Sequence, residues 1–172
     1  MDRGELYRLA LSYLGTYDYV PGSAAVNALD SVLSHVLLIA GSYARWRWAL
    51  KRATLQMIDG SSRLPADFVE MDSCSLENWQ IIADELVADS KAEGTAHIVY
   101  TSRAWADECL LPSNAPLFNE AVVLLLAAKA AVRVTGNYNL AAGLEDRAMK
   151  MFYRARLAEV RQINNERKEE SL

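Results

Sequence analysis

The run Phe118–Thr135 restricts what this chain can fold into more than any other stretch. It is apolar on nearly every side, and only Asn119, Glu120, Lys129 and Arg133 interrupt it. Pro116 fits the first turn of a helix and Gly136-Asn137 its end. A helix with no polar face has to lie at the centre of a core or be shared with a neighbour. The length of 172 residues suits a single domain, 1–172, on the usual scale of roughly 100–200 residues. With 52% apolar and 23% charged residues, disorder is excluded. That apolar share is large for so small an interior, so some of the surface is expected to be buried against a partner.

Around this helix the chain divides into consecutive segments. Residues 2–57 read as helices. Glu5–Leu14 has helical apolar spacing and stops at Gly15, and Ser23 caps a second helix whose Val26, Leu29, Val32, Leu33 and Val36 share a face. Gly41 and Ser42 mark a kink or a break before a further helical stretch, Tyr43–Leu55. Residues 58–113 form a β-containing insertion. Asp59-Gly60-Ser61-Ser62 is a turn, and Pro65 keeps Leu64–Asp67 out of a helix interior. Trp79–Ile82 and Ala96–Thr101 read as strands, with Leu86-Val87 as a possible third. Residues 116–166 are helical again, and 167–172 read as a flexible tail. The expected fold is mainly α: a helical bundle with a long C-terminal helix and a small inserted antiparallel β-hairpin or meander.

On a wheel of 100° per residue, the last helix has three faces. Leu140, Leu144, Ala148, Met151 and Ala155 fall together, with Phe152 at their margin. Met149, Tyr153, Leu157 and Val160 lie nearly opposite. Arg147, Lys150, Arg154, Arg161 and Lys168 form a basic arc. One apolar face docks the helix on its own domain. The second suits either subunit association or a wedge between two parts of the same domain. The arc is either a solvated face or a stripe toward phosphates or an acidic partner.

Residues with catalytic or ligand chemistry do not assemble into a motif. His35 and His97 have no second ligand at metal spacing. Cys74 and Cys109 are far apart and read as structural thiols of a reducing compartment. Asp67, Glu70 and Asp72 form one acidic group and Asp84, Glu85 and Asp89 another; such groups bind a divalent ion or do acid–base work, or are simply solvated. No glycine-rich phosphate loop and no Gly-x-Ser-x-Gly elbow occurs. The expectation is a non-enzyme without cofactor or metal. Arg45-Trp46-Arg47-Trp48 interleaves bases and aromatics, as nucleic-acid stacking would, yet on a helix the two indoles point to different sides. The net charge of −4 and a pI near 5.2 offer no global basic field for nucleic acid. The N-terminus has no signal-peptide core, and the longest uncharged apolar run, Ala121–Ala128, is short of the roughly 20 residues of a membrane span. A soluble cytoplasmic protein without membrane contact is expected.

Taken in order, these features resemble the head–tail connector, or adaptor, proteins of tailed bacteriophages, the group that includes tail tubular protein A. The matching pieces begin with Ala10–Gly15, then Val20-Pro21-Gly22-Ser23 and a long helix. Arg45–Leu55 is similar to the family's Trp-containing motif, and Leu64-Pro65-Ala66-Asp67-Phe68 to its Leu-Pro-x-Asp turn. A hairpin ending in Ile98-Val99-Tyr100 follows. Leu117–Ala121 opens an Ala/Leu-rich helix, and Thr135-Gly136-Asn137 leads to the last helix with Tyr153 and Ala155. The resemblance spans nearly the whole chain, but the acidic Asp84–Gly94 stretch matches no motif.

The resemblance implies a structural component of the virion neck, made in the host cytoplasm. It implies a twelve-fold ring under the portal protein, joined at its far end to a tail or stopper protein. Double-stranded DNA would pass through the channel without specific binding during genome ejection. On that reading Met149, Tyr153, Leu157, Val160, Arg147, Lys150, Arg154 and Arg161 face the portal or the next subunit. The alternative is a small nucleic-acid-binding module using Arg45, Arg47 and the basic arc.

Overall fold

Among the described residues, helix caps and β-turns punctuate the backbone into eleven α-helices and strands, besides one 3₁₀ turn. The computed structural model describes residues 1–16, 18–88 and 94–169, with side chains of the last helix described as far as Arg161. The elements are α1 (Arg3–Tyr13), α2 (Ala24–Tyr43), β1 (Leu50–Met57), β2 (Ser61–Arg63), β3 (Phe68–Cys74), β4 (Gln80–Ile82), β5 (Glu85–Val87), β6 (Gly94–Ser102), α3 (Ala104–Asp107), α4 (Pro116–Thr135) and α5 (Tyr138–Glu169). The chain is 53% helical and 22% strand, with two three-stranded antiparallel sheets. The expectation of a mainly α bundle with one small hairpin is therefore corrected: this is a mixed α and β fold. It divides into two compact units, one of residues 1–45 and 105–172, the other of 46–104.

The helical unit is built around α4. Its buried positions run from Phe118 to Ala131 on all sides, and α5, α2 and α1 pack against it. Each Val or Leu so buried contributes about 1.5–3 kcal/mol. The all-round apolar helix is thus covered within its own unit. Gly136, in the left-handed conformation at φ 70°, ends it by donating its N–H to the Val132 carbonyl, a conformation that costs glycine nothing. Lys129 binds Glu145 of α5 at 2.7 Å, and Arg133 reaches the Ser31 hydroxyl of α2.

Helix α1 starts with Asp2, whose carboxylate accepts from the Glu5 N–H at 2.8 Å, and α2 with Ser23, which accepts from the Val26 N–H. Helix α2 neither breaks nor splits at Gly41-Ser42. Gly41 instead admits the Trp105 ring, which would lie only 3.2 Å from a Cβ there. Tyr43, at the end of α2, stacks on Phe152 with ring centres 5.0 Å apart, and Phe118 meets both Phe152 and Trp105 edge-on. By length and composition α2 is the one described helix able to cross a membrane; its Leu29, Val36 and Ala40 are fully buried in the chain.

The β unit departs furthest from expectation. Residues 43–55 do not continue as helix: Arg47–Ala49 is a single 3₁₀ turn and Leu50–Met57 is strand β1. It pairs antiparallel with β6, Leu50 opposite Thr101 and Met57 opposite Gly94, and β3 flanks β6 on the other side. At Asp59-Gly60, with φ of 50° and 75°, the chain turns into the second sheet, and Ile58 and Ser61 exchange backbone hydrogen bonds across the turn. Paired positive φ values are those of a two-residue type I′ hairpin loop. The second sheet has the order β2-β5-β4, so β4 is an edge strand, and its three residues are all exposed. Leu55, Met57, Leu64, Leu86, Ala96, Ile98 and Tyr100 form the core of this unit. Strands expected at 79–82, 86–87 and 96–101 correspond to β4, β5 and β6, while β1, β2 and β3 were not anticipated.

The described helix α5 continues through residues 167–169. The rest of the expected flexible tail, 170–172, lies outside the described residues, as do residues 89–93 of the acidic stretch, Asp89 among them.

Candidate functional site

Helix α5 gains its register from Leu144, Ala148, Phe152 and Ala155, which are all buried. With 3.6 residues per turn, that docking turns the opposite side outward. Tyr153 is 56% exposed, Val160 45% and Leu157 37%, and Met149 is half-buried. The second apolar face is left uncovered by the rest of the helical unit.

The basic arc does not act as one stripe. The Arg147 guanidinium lies over the Tyr13 ring, 5.4 Å from its centre, and so folds back on the helical unit. Lys150 is bonded to Asp146 one turn earlier at 2.6 Å. Arg154 approaches the Met151 sulfur at 3.9 Å, and Arg161 is exposed. The side chain of Lys168 lies outside the described residues. Arg156, missed in the sequence reading, is exposed too. It borders the Tyr153–Val160 face on the side away from Arg154 and Arg161. A wheel that includes every cation, rather than those on one arc, would have found it.

The remaining candidates are placed as follows. Trp46 and Trp48 stack with ring centres 6.2 Å apart and planes 22° from parallel. The helical argument for separating them fails because Trp46 is in extended backbone just before the 3₁₀ turn that holds Trp48. Trp46 is buried and Trp48 half-buried, so the pair is no exposed platform; Arg45 and Arg47 are exposed. His35 is exposed on α2. His97 is exposed on β6, where its Nδ1 lies 3.1 Å from the Thr54 hydroxyl and its N–H donates to the Ser75 hydroxyl. An open depression of about 580 Å³ surrounds His97, with Arg52, Thr54 and Cys74 on its walls. Cys109 is buried, and burial pushes its thiol upward in pKa.

Asp67 is not a metal ligand in waiting but the anchor of the Leu-Pro-x-Asp turn. It accepts from Lys51 Nζ at 2.7 Å, from the Tyr100 hydroxyl at 3.0 Å and from the Ser102 hydroxyl. Burial alone would raise its carboxyl. The hydrogen bonds from Lys51, Ser102 and Tyr100 outweigh that and hold it at about 2. Burial, and then this carboxylate, push the Tyr100 phenol up to about 12. A comparable anchor ties α1 to α2, where Arg3 and Tyr7 both donate to Asp30. The Tyr7 bond holds the Asp30 carboxyl below its usual range. Among the described residues no three His, Cys, Asp or Glu side chains gather as a metal site would need.

The strongest candidate is therefore a surface: the outer face of α5. A scan against protein-family models finds no match to this chain, and a search of the curated proteins finds none either.

Proposed function

We propose that the chain is a head–tail adaptor of a tailed bacteriophage. It is a structural subunit that joins a ring under the portal and leaves a channel for double-stranded DNA between the filled head and the tail. The observation that carries this reading is the uncovered Tyr153–Leu157–Val160 face of α5, with arginines on both borders. A stable monomer gains nothing from holding such a face in water, whereas a subunit that buries it on assembly does. The portal or the next subunit would cover it, and the arginines suit an acidic partner surface. The ordered motifs that resemble the adaptor family add to this, as does the long terminal helix that carries the face. The negative net charge favours DNA passing through rather than adhering.

The test is to mix the purified chain with a bacteriophage portal protein from the genome that encodes it. Co-sedimentation and a twelve-fold ring seen on the portal by cryo-electron microscopy are expected, and a double substitution, Tyr153→Ala with Leu157→Ala, weakens capture. Absence of any association between the two wild-type proteins would sink the reading.

A further inference from the structure

Two exposed patches on this chain are complementary. On α5, Tyr153, Leu157 and Val160 fall within about 60° of one another at 100° per residue, with Arg156 on one side and Arg154 and Arg161 on the other. The second patch is the β4–β5 hairpin of the β unit. Strand β4 has a neighbour on one side only, and Ile82, on the face it shares with Glu85, is 53% exposed; Ile81, on the other face across from Leu86, and Trp79 are also partly exposed. Around these apolar side chains the charges are acidic: Glu77 and Glu85 are exposed, and Asp84 is bonded to Arg63 at 3.2 Å.

An open strand edge pairs most readily with the same strand of another copy, but at three residues β4 offers only a short one. Here such pairing brings Glu77, Asp84 and Glu85 against their own equivalents. Helix-on-helix pairing of two α5 faces likewise brings arginine against arginine. Each patch repels a copy of itself and attracts the other, with apolar centres that match. We infer that the β4–β5 hairpin of one copy seats on the outer face of α5 of a second copy. Such an interface is heterologous, head to tail, and leaves a free patch on each added copy; it gives a ring where the rotation between copies closes and an open filament where it does not. The inference deepens the adaptor reading by naming the contact from which a ring is built, and it adds a function for the hairpin that no motif supplied.

Sedimentation velocity at rising protein concentration in low salt tests it. The wild-type chain is expected to form species larger than a dimer, and 0.5 M salt to weaken them. Ile82→Glu and Leu157→Glu are each expected to lower the association constant about tenfold or more, the scale set by losing one central interface residue. Tyr153→Ala, at the most exposed of the three α5 positions, repeats the effect of Leu157→Glu without a new charge, and circular dichroism verifies that each variant is folded. An equimolar mixture of Ile82→Glu and Leu157→Glu is expected to give a one-to-one dimer and nothing larger, because one intact hairpin then meets one intact helix face. A wild-type chain that stays monomeric to millimolar concentration overturns the inference. So does a mixture that stays monomeric while the wild type associates, and so does either variant that dimerises on its own as well as the wild type does, since that is the behaviour of self-pairing patches. No portal takes part, so failure here with portal capture intact removes this contact alone, and the reverse outcome removes the adaptor reading alone.

Discussion

Asp67 accepts hydrogen bonds from one cation and from two hydroxyls whose residues, Tyr100 and Ser102, are 4% and 2% exposed. Replacing it by alanine leaves those hydroxyls without their acceptor, which costs about 1–3 kcal/mol. The same carboxylate also makes stability depend on pH. Its folded pKa of about 2 lies below the ordinary 3.8, so the unfolded chain binds the proton more readily. The stabilisation is therefore complete above the unfolded value and is lost as the pH falls through about 2. Urea unfolding of the wild type and of Asp67→Asn should differ by a constant amount from pH 5 to 7, and the two should converge between about pH 4 and pH 2. A difference that persists at pH 2 would mean that the effect is packing rather than charge.

At the scale of elements, α4 carries the helical unit. Leu125 is fully buried on it, whereas Leu38 of α2 is 69% exposed. Leu125→Ala should cost about 2–5 kcal/mol in urea unfolding, and Leu38→Ala should stay within about 0.5 kcal/mol of the wild type. That α4 is buried on all sides was legible from Phe118–Thr135, but whether its own unit or a neighbour covers it was not, because both satisfy a helix that is apolar all round. Strand β6 was legible too: Ala96, Ile98, Tyr100 and Ser102 turn inward at a strict period of two. Strand β1 was not. Leu, Lys, Arg, Ala, Gln and Met favour helix, and pairing with β6 overrides that preference. Its period-two signal was present, with Ala53, Leu55 and Met57 against Arg52, Thr54 and Gln56. Strand β3 was hidden by geometry. Register shifts at Phe68/Glu70 and Met71/Ser73 turn Phe68, Met71 and Cys74 inward at steps of three, which does not read as a strand. The outer face of α5 was legible because the helical repeat does not depend on tertiary contacts. The withdrawal of Arg147 onto Tyr13 was not, since it depends on a residue from the other end of the chain.

At the scale of the whole molecule, the apolar surplus and the acidic charge take separate roles. The surplus does not require a neighbour for α4, which its own unit covers; part of the remaining exposed apolar surface lies on the α5 face and the β4 edge. The charge sets how the chain behaves toward DNA. Among the described side chains along the outer part of α5, Lys150, Arg154, Arg156 and Arg161 are exposed, so these neutralise at most four phosphates. Each neutralised phosphate contributes about −0.9 to the slope of log affinity against log salt. A chain that lets DNA slide should therefore retard duplex in a mobility-shift titration only at low salt, with a slope no steeper than about −4, and should release it by about 0.15 M salt. If Arg45 and Arg47 were part of a dedicated nucleic-acid module, two more phosphates would be engaged and the slope would reach about −5. Binding would then survive physiological salt, and Arg45→Ala and Arg47→Ala would each reduce the slope by about one. With a net charge of −4 over 172 residues, repulsion from the rest of the surface works against those few arginines, and the shallow slope is the expected result.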